Sequence, residues 1–178
     1  MNKSAKIARN LLVLASAVLA GAAVLMLVNP FKTDRENELL VGGVFAAVAL
    51  ICFISFGVNR RMYFRPGWML QNAFFMAVFS IIIFFIPMIN FDMNVLVYSF
   101  LAFFMAASQY CAAIQLSALE IRRWWWVLIF AVINTLFGVY FIKLCSVLNL
   151  SEYPSLAVYM LVLSAILLLE PWIYRKNK

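Results

Sequence analysis

The sequence predicts an all-α membrane protein in which six transmembrane helices are arranged as three repeated helical hairpins. Of the 178 residues, 67% are hydrophobic and 12% are charged, whereas about a quarter of the residues in a soluble domain are charged. This number of charged residues is too small to cover the surface of a water-soluble globule. Apolar side chains must therefore face a lipid bilayer. Six long apolar stretches and a concentration of basic residues in alternate connectors support the same fold. The connectors are too short to form another domain, which makes 1–178 a single polytopic membrane domain.

Each apolar stretch is long enough for a spanning helix, which needs about 20 mostly apolar residues. With charges, prolines and polar clusters taken as breaks, the predicted spans in chain order are 10–28, 39–58, 68–86, 95–118, 125–145 and 154–172. The first span follows three basic residues and resembles a signal peptide, but its apolar run at 11–28 exceeds the roughly 7–15 residues of a signal-peptide core. We therefore expect a retained first helix. Transmembrane strands would alternate apolar and polar residues, unlike the segment 77–86, in which Ser80 is the one polar residue.

The basic residues predict the orientation, because Lys and Arg concentrate in cytoplasmic connectors. Six spans place both termini and the second and fourth connectors on one side. That side holds 11 of the 14 basic residues, namely Lys3, Lys6, Arg9, Arg60, Arg61, Arg65, Arg122, Arg123, Arg175, Lys176 and Lys178. All five tryptophans also fall at span ends on this side, as expected for residues that prefer the headgroup level. The N-terminus and the C-terminus are therefore both predicted to be cytoplasmic.

An internal repeat converts six helices into three hairpins at roughly 8–62, 65–123 and 124–178. A shift of 58 positions carries Arg65 onto Arg123 and Trp68 onto Trp126, and it carries Ser80 onto Gly138. The second, fourth and sixth spans all end in paired basic residues. Each hairpin begins and ends on the same side, so the units are parallel, unlike the inverted repeats of many transporters.

Several of these features resemble the HdeD-like acid-resistance integral membrane protein family. They are the three hairpins, the Arg65-Pro66-Gly67-Trp68 entry to the third helix, the Arg123-Trp124-Trp125-Trp126 entry to the fifth, and the prolines at Asn29-Pro30 and Ile86-Pro87. The resemblance implies a bacterial inner-membrane protein linked to survival of acid or other stress. It implies no catalytic residues.

Polar residues inside the spans are the first candidates for a site. Asn134 lies almost at the middle of the fifth span and Gln109 slightly past the middle of the fourth, where they could line a polar pocket or bond across helices. Glu170 lies near the cytoplasmic end of the sixth span, at a depth that suits an ion pair with Arg122, Arg123 or Arg175. Ionisable groups within the membrane usually mark function, but none lies near the middle of any span.

The opposite face carries five acids, Asp34, Glu36, Glu38, Asp92 and Glu152, beside only three basic residues. Exposed carboxylates become protonated near pH 4. Protonating all five acids would change the formal charge of this face from −2 to +3. The reversal offers a physical basis for a response to acid.

The composition argues against an enzyme. The chain has no histidine, and Cys52, Cys111 and Cys145 lack the spacing of a metal or redox motif, so no cofactor or metal is expected. The basic residues lie at helix ends. This location favours contact with anionic lipid headgroups at the cytoplasmic face over binding of nucleic acid. Small-residue faces leave a homo-oligomer contact open.

The leading expectation is a non-enzymatic stress protein. The alternative is a small transporter or channel for a neutral solute, lined by Asn134 and Gln109.

Overall fold

The computed structural model describes residues 3–28, 34–59, 67–85, 91–145 and 152–173. Within these ranges the chain forms six helices, as predicted. They are α1 (Lys3–Val28), α2 (Asp34–Asn59), α3 (Gly67–Phe85), α4 (Phe91–Ala118), α5 (Trp124–Tyr140), which continues into a π-helical turn (Phe141–Cys145), and α6 (Glu152–Ile173). The helix ends agree with the predicted spans to within one residue, but α1, α2 and α4 begin four to seven residues earlier than predicted, in the polar segments that precede their apolar runs.

Five of the helices, all except α3, are long and apolar enough to cross a membrane. The apolar part of α3, Leu70–Phe85, is shorter than the other spans. The whole helix has 19 residues, which corresponds to about 28 Å, close to the thickness of the hydrocarbon layer. The chain is therefore a multi-pass membrane protein by length and composition.

Neighbouring helices run in opposite directions, and their contacts follow the chain order. Each helix packs on the next, and α6 packs on α1, so the bundle is closed. We call the end at which α1, α3 and α5 begin the basic end, and the end at which α2, α4 and α6 begin the acidic end. The contacts between α2 and α3, α4 and α5, and α6 and α1 are more extensive than those within the predicted hairpins α3/α4 and α5/α6. The three-hairpin arrangement stays a prediction.

Serine hydroxyl groups bond across these three extensive contacts. Ser80 of α3 donates to the Gly42 carbonyl of α2 at 2.8 Å, and Ser99 of α4 donates to the Gly138 carbonyl of α5 at 2.8 Å. Positions 42 and 99 are 57 apart, and positions 80 and 138 are 58 apart. The predicted repeat therefore places a serine–glycine pair at equivalent points of the two contacts. The serine is on the later helix in the α2–α3 contact and on the earlier helix in the α4–α5 contact.

The side chains of the bundle divide into a buried set and an outward set. Apolar residues of different sizes, such as Ala15, Phe45 and Leu101, are fully buried. Large apolar residues such as Ile114 and Leu136 are exposed on the outer surface. Exposed apolar surface of this extent is unfavourable in water but not in lipid, which agrees with the membrane assignment.

The connection between α4 and α5 is tight because α4 ends in a Schellman motif. The Ile121 amide donates to the Leu116 carbonyl, and the Glu120 amide donates to the Ser117 carbonyl, both at 3.0 Å. Glu120 has a φ of 55°, the left-handed conformation that this motif requires and that usually selects glycine. The turn places Arg123 directly before α5, at the basic end.

Candidate functional site

A hydrogen-bonded group of three polar side chains lies inside the bundle. The Tyr159 hydroxyl of α6 donates to Asn134 Oδ1 of α5 at 2.8 Å. Asn134 Nδ2 donates to Gln109 Oε1 of α4 at 2.8 Å and also to the Phe130 carbonyl at 3.1 Å. All three side chains are buried, and Asn134 has no exposed surface. We call Gln109, Asn134 and Tyr159 the polar triad.

The polar triad shows what the two predicted intramembrane positions do. Gln109 and Asn134 are both buried and bond to each other. Such bonds satisfy groups that are costly to leave unpaired in hydrocarbon. The triad thereby joins α4, α5 and α6 through side chains, although α6 makes few backbone contacts with α4 and α5.

Tyr159 was missed as a member of this group. Its ring packs against Phe137 at 5.0 Å and Phe141 at 5.7 Å between centroids. One signal was present in the sequence, because Tyr159 falls on the helical face of α6 that also carries Leu156 and Leu163, both buried. A tyrosine on a buried face requires a partner for its hydroxyl.

Glu170 is at the basic end as expected, but it points into the bundle. Its side chain is 2% exposed, and its Oε1 accepts a long hydrogen bond from Asn72 Nδ2 of α3 at 3.5 Å. The predicted ion pair with Arg122 or Arg123 is therefore wrong for the part of the chain that the structure describes, and Arg175 lies outside that part.

The arginines fail to reach Glu170 because of the helix period. Trp172 follows Glu170 by two residues, a rotation of about 200°, and so lies on the opposite face of α6. Arg123 donates to the Trp172 carbonyl at 2.8 Å, and the Arg9 guanidinium lies 5.9 Å from the Trp172 ring centroid. Arg9 and Arg123 thus contact Trp172, while the carboxylate faces the interior.

At the acidic end, Glu38 differs from the exposed carboxylate that the sequence predicts. Its side chain is 4% exposed and pairs with Arg35 Nη1 at 3.1 Å. Arg35 also donates to the carbonyls of Ile83 at 3.4 Å and Phe84 at 3.3 Å, in the last turn of α3. We call Arg35, Glu38 and these two carbonyls the arginine staple, because together they join the start of α2 to the end of α3.

The remaining acids of this end share a location that the sequence analysis did not use. Glu36 is exposed, and the helix bounds place Asp34, Asp92 and Glu152 in the first turns of α2, α4 and α6. The side chains of these last three lie outside the described part. Carboxylates in a first turn are favoured by the helix macrodipole, so Asp34, Glu36, Asp92 and Glu152 occupy positions where negative charge stabilises a helix start, whereas Glu38 lies in the second turn of α2.

Within the described ranges, two crevices on the outside of the bundle have linings that do not include the polar triad. One, of about 700 Å³, lies between α5 and α6 towards the acidic end and includes Tyr140, Lys143 and Ser155. The other, of about 530 Å³, lies between α4 and α5 at the basic end and includes Tyr110 and Trp124. Among the residues that the structure describes, no cluster of histidine, cysteine or acidic side chains could hold a metal ion. Cys52 is buried and Cys111 is exposed, and the side chain of Cys145 is outside the described set.

Fold and site together define a multi-pass α-helical membrane protein whose buried polar groups bond across helices. Comparison with protein-family models, curated proteins and solved structures finds no match to this chain.

Proposed function

We propose that this chain is a non-enzymatic protein of the bacterial inner membrane that contributes to survival of acid or other stress. In this proposal both termini and the basic end face the cytoplasm, and the acidic end faces outwards. The HdeD-like layout of the sequence and the separation of charge between the two ends support the proposal.

The arginine staple is the observation that carries the proposal. It places a buried carboxylate at the end that would meet external acid, where Glu38 holds Arg35 against the last carbonyls of α3. The ion pair is the only one within the described residues. A contact between two helices therefore depends on one carboxylate remaining charged.

Protonation of Glu38 removes the charge that orients Arg35. The Arg35 side chain is 48% exposed, so its guanidinium can then turn to water, leaving the α3 carbonyls without its two hydrogen bonds. The other four acids lose their favourable interaction with the helix starts under the same conditions. External acid is thus expected to loosen the acidic end between α2 and α3.

The polar triad supports a role other than solute passage. Asn134 already makes three hydrogen bonds, to Tyr159, Gln109 and the Phe130 carbonyl. A solute that used Asn134 or Gln109 would first have to break bonds within the triad. The transporter alternative therefore gains no specific support from the geometry.

The test is survival of cells that carry a variant as their sole copy, after an acid challenge and at matched protein level. One variant replaces all five acids with amides, at positions 34, 36, 38, 92 and 152. Two single variants, Glu38→Gln and Glu36→Gln, separate the staple from the net charge. They remove the same charge at neighbouring positions of one helix turn, but Glu36 is exposed and Glu38 is buried.

We expect the five-amide variant to lower acid survival, and Glu38→Gln to reproduce most of the loss while Glu36→Gln behaves as wild type. Equal effects of the two single variants would assign the response to net charge instead of the staple. Unchanged survival of the five-amide variant would overturn the proposed function.

A further inference from the structure

A buried carboxylate and a buried amide face each other at the basic end with too few hydrogen-bond donors between them. Glu170 Oε1 receives the long bond from Asn72 Nδ2 at 3.5 Å. Glu170 Oε2 and Asn72 Oδ1 are also buried, and neither has a partner among the described residues. Two acceptor oxygens are therefore left unsatisfied at one point, on α3 and α6, helices that lie on opposite sides of the bundle.

Charged and titratable groups surround this point without neutralising it. Arg9 on α1 and Arg123 before α5 are engaged with Trp172 on the other face of α6. On α2, the Cys52 thiol is buried and lies within electrostatic range of Glu170. On α4, Ser108 donates to Gln71 Oε1 at 2.9 Å, which uses the neighbouring amide oxygen of α3. The described part of the chain thus provides no cation and no further donor for Glu170.

An ionised, unpaired carboxylate is expensive in such an environment, since one buried charge without a partner is strongly destabilising. An unsatisfied buried acceptor adds a further penalty, because its lost hydrogen bonds to water are not replaced. One added proton removes both deficits. It neutralises Glu170, and the new O–H group can donate to Asn72 Oδ1, with the amide still donating to the other carboxyl oxygen.

We propose that Glu170 and Asn72 form a proton-binding site at the basic end of the bundle, which is occupied in the folded protein at neutral pH. The bound proton completes a reciprocal pair of hydrogen bonds between α3 and α6. No other group changes its bonding, because the proton comes from water and returns to water when the pair opens. The proton therefore acts as a ligand that holds two opposite helices together.

This site is separate from the arginine staple, which lies at the other end of the bundle and loses a helix contact on protonation. The two ends would respond to protons with opposite signs, since acid loosens the acidic end and proton loss loosens the basic end. The inference does not depend on the stress function, because it concerns the state of one carboxyl group in the purified protein.

Infrared difference spectroscopy of the purified full chain in lipid tests the site. A protonated carboxylic acid has a C=O stretch that a carboxylate lacks, so the wild type at neutral pH is compared with Glu170→Gln. We expect a protonated-acid band that disappears in Glu170→Gln and persists in the control Glu120→Gln, whose glutamate lies in the exposed α4–α5 turn. A wild-type spectrum with no band assignable to Glu170 would overturn the proposal.

The pH dependence of unfolding gives a second readout. If the folded bundle binds a proton that the unfolded chain releases at neutral pH, stability is lost as the pH rises through the ionisation of Glu170. Glu170→Gln imitates the neutral acid, so we expect it to fold, to match the wild type only below the pKa of an unfolded glutamate, about 4.3, and to lack the loss of stability that begins there and ends where folded Glu170 ionises. Severe destabilisation of Glu170→Gln at every pH, or an unchanged pH profile, would contradict the proton-binding site.

Discussion

Replacing Gly138 with alanine tests the close contact between α4 and α5. A Cβ atom at this position would lie 2.8 Å from Phe103 Cε1 and 2.9 Å from Phe103 Cδ1 and Cζ. Ordinary carbon contacts are about 3.5–4.0 Å, so the ring of Phe103 must move by roughly 0.6–1 Å. At Gly43, by contrast, an added Cβ meets nothing within 4 Å, which makes Gly43→Ala the matched control.

The magnitude follows from two opposing effects. Overpacking of a well-packed contact costs about 1–3 kcal/mol, whereas alanine is favoured over glycine in a helix interior by about 0.8–1.0 kcal/mol. The second effect is common to both variants and cancels in their difference. Gly138→Ala is therefore expected to be less stable than Gly43→Ala by about 1–3 kcal/mol.

The assay is equilibrium unfolding of the purified protein in mixed micelles with a rising fraction of denaturing detergent. A double variant with Phe103→Ala removes the ring and should recover part of the loss caused by Gly138→Ala, because the two positions are in contact and their effects are not additive. Equal stability of Gly138→Ala and Gly43→Ala, or no recovery in the double variant, would refute the close approach of α4 and α5.

Two further predictions concern the interior and the α4–α5 turn. Asn134→Leu leaves the Tyr159 hydroxyl and the Gln109 amide without their partner, so it should lower stability by about 1–3 kcal/mol in the same unfolding assay, and a neutral effect would show that the polar triad is dispensable. Glu120→Gly should stabilise the protein by up to about 1 kcal/mol, because the left-handed conformation costs an L-residue about 1–2 kcal/mol. The gain is smaller than this cost because glycine loses more conformational entropy on folding than glutamate does. A destabilised glycine variant in thermal unfolding would argue against the Schellman motif.

The helices could be predicted from the sequence because their signals are local. The length of an apolar run and the charges that end it are set by the bilayer, and the helix bounds agree with the predicted spans over most of the chain. Depth could also be predicted, because position along a helix is proportional to residue number. Asn134 and Gln109 were therefore placed at similar depths, and the structure shows that they bond.

The direction of a side chain around its helix was harder to predict than its depth. Glu170 and the arginines of the basic end lie at compatible depths, but Glu170 faces the interior and Trp172 faces the rim. Glu38 similarly belongs to the acidic end but is turned inwards. An apolar span in lipid has apolar residues on all sides, so its weak amphipathicity does not reveal which face is buried.

Tyr159 shows a second reason for a missed site. Tyrosine is amphipathic, so within an apolar span it is indistinguishable from a packing residue until the partner of its hydroxyl group is known. That partner lies 25 positions earlier in the chain, on a helix that makes few backbone contacts with α6. Only tertiary structure brings the two together.

The contact between the first and last helices has a consequence for biogenesis. The Ser16 hydroxyl donates to the Ser164 carbonyl and the Ser164 hydroxyl donates to the Ser16 carbonyl, both at 2.9 Å, and the two hydroxyl oxygens are themselves 2.9 Å apart. These partners are 148 positions apart. During synthesis α1 therefore enters the membrane long before α6, and it lacks this partner until α6 has been inserted. A nascent chain that stops before α6 leaves this face of α1 open to lipid or to a neighbouring protein. Closure of the bundle is thus a late event that follows the insertion of α6.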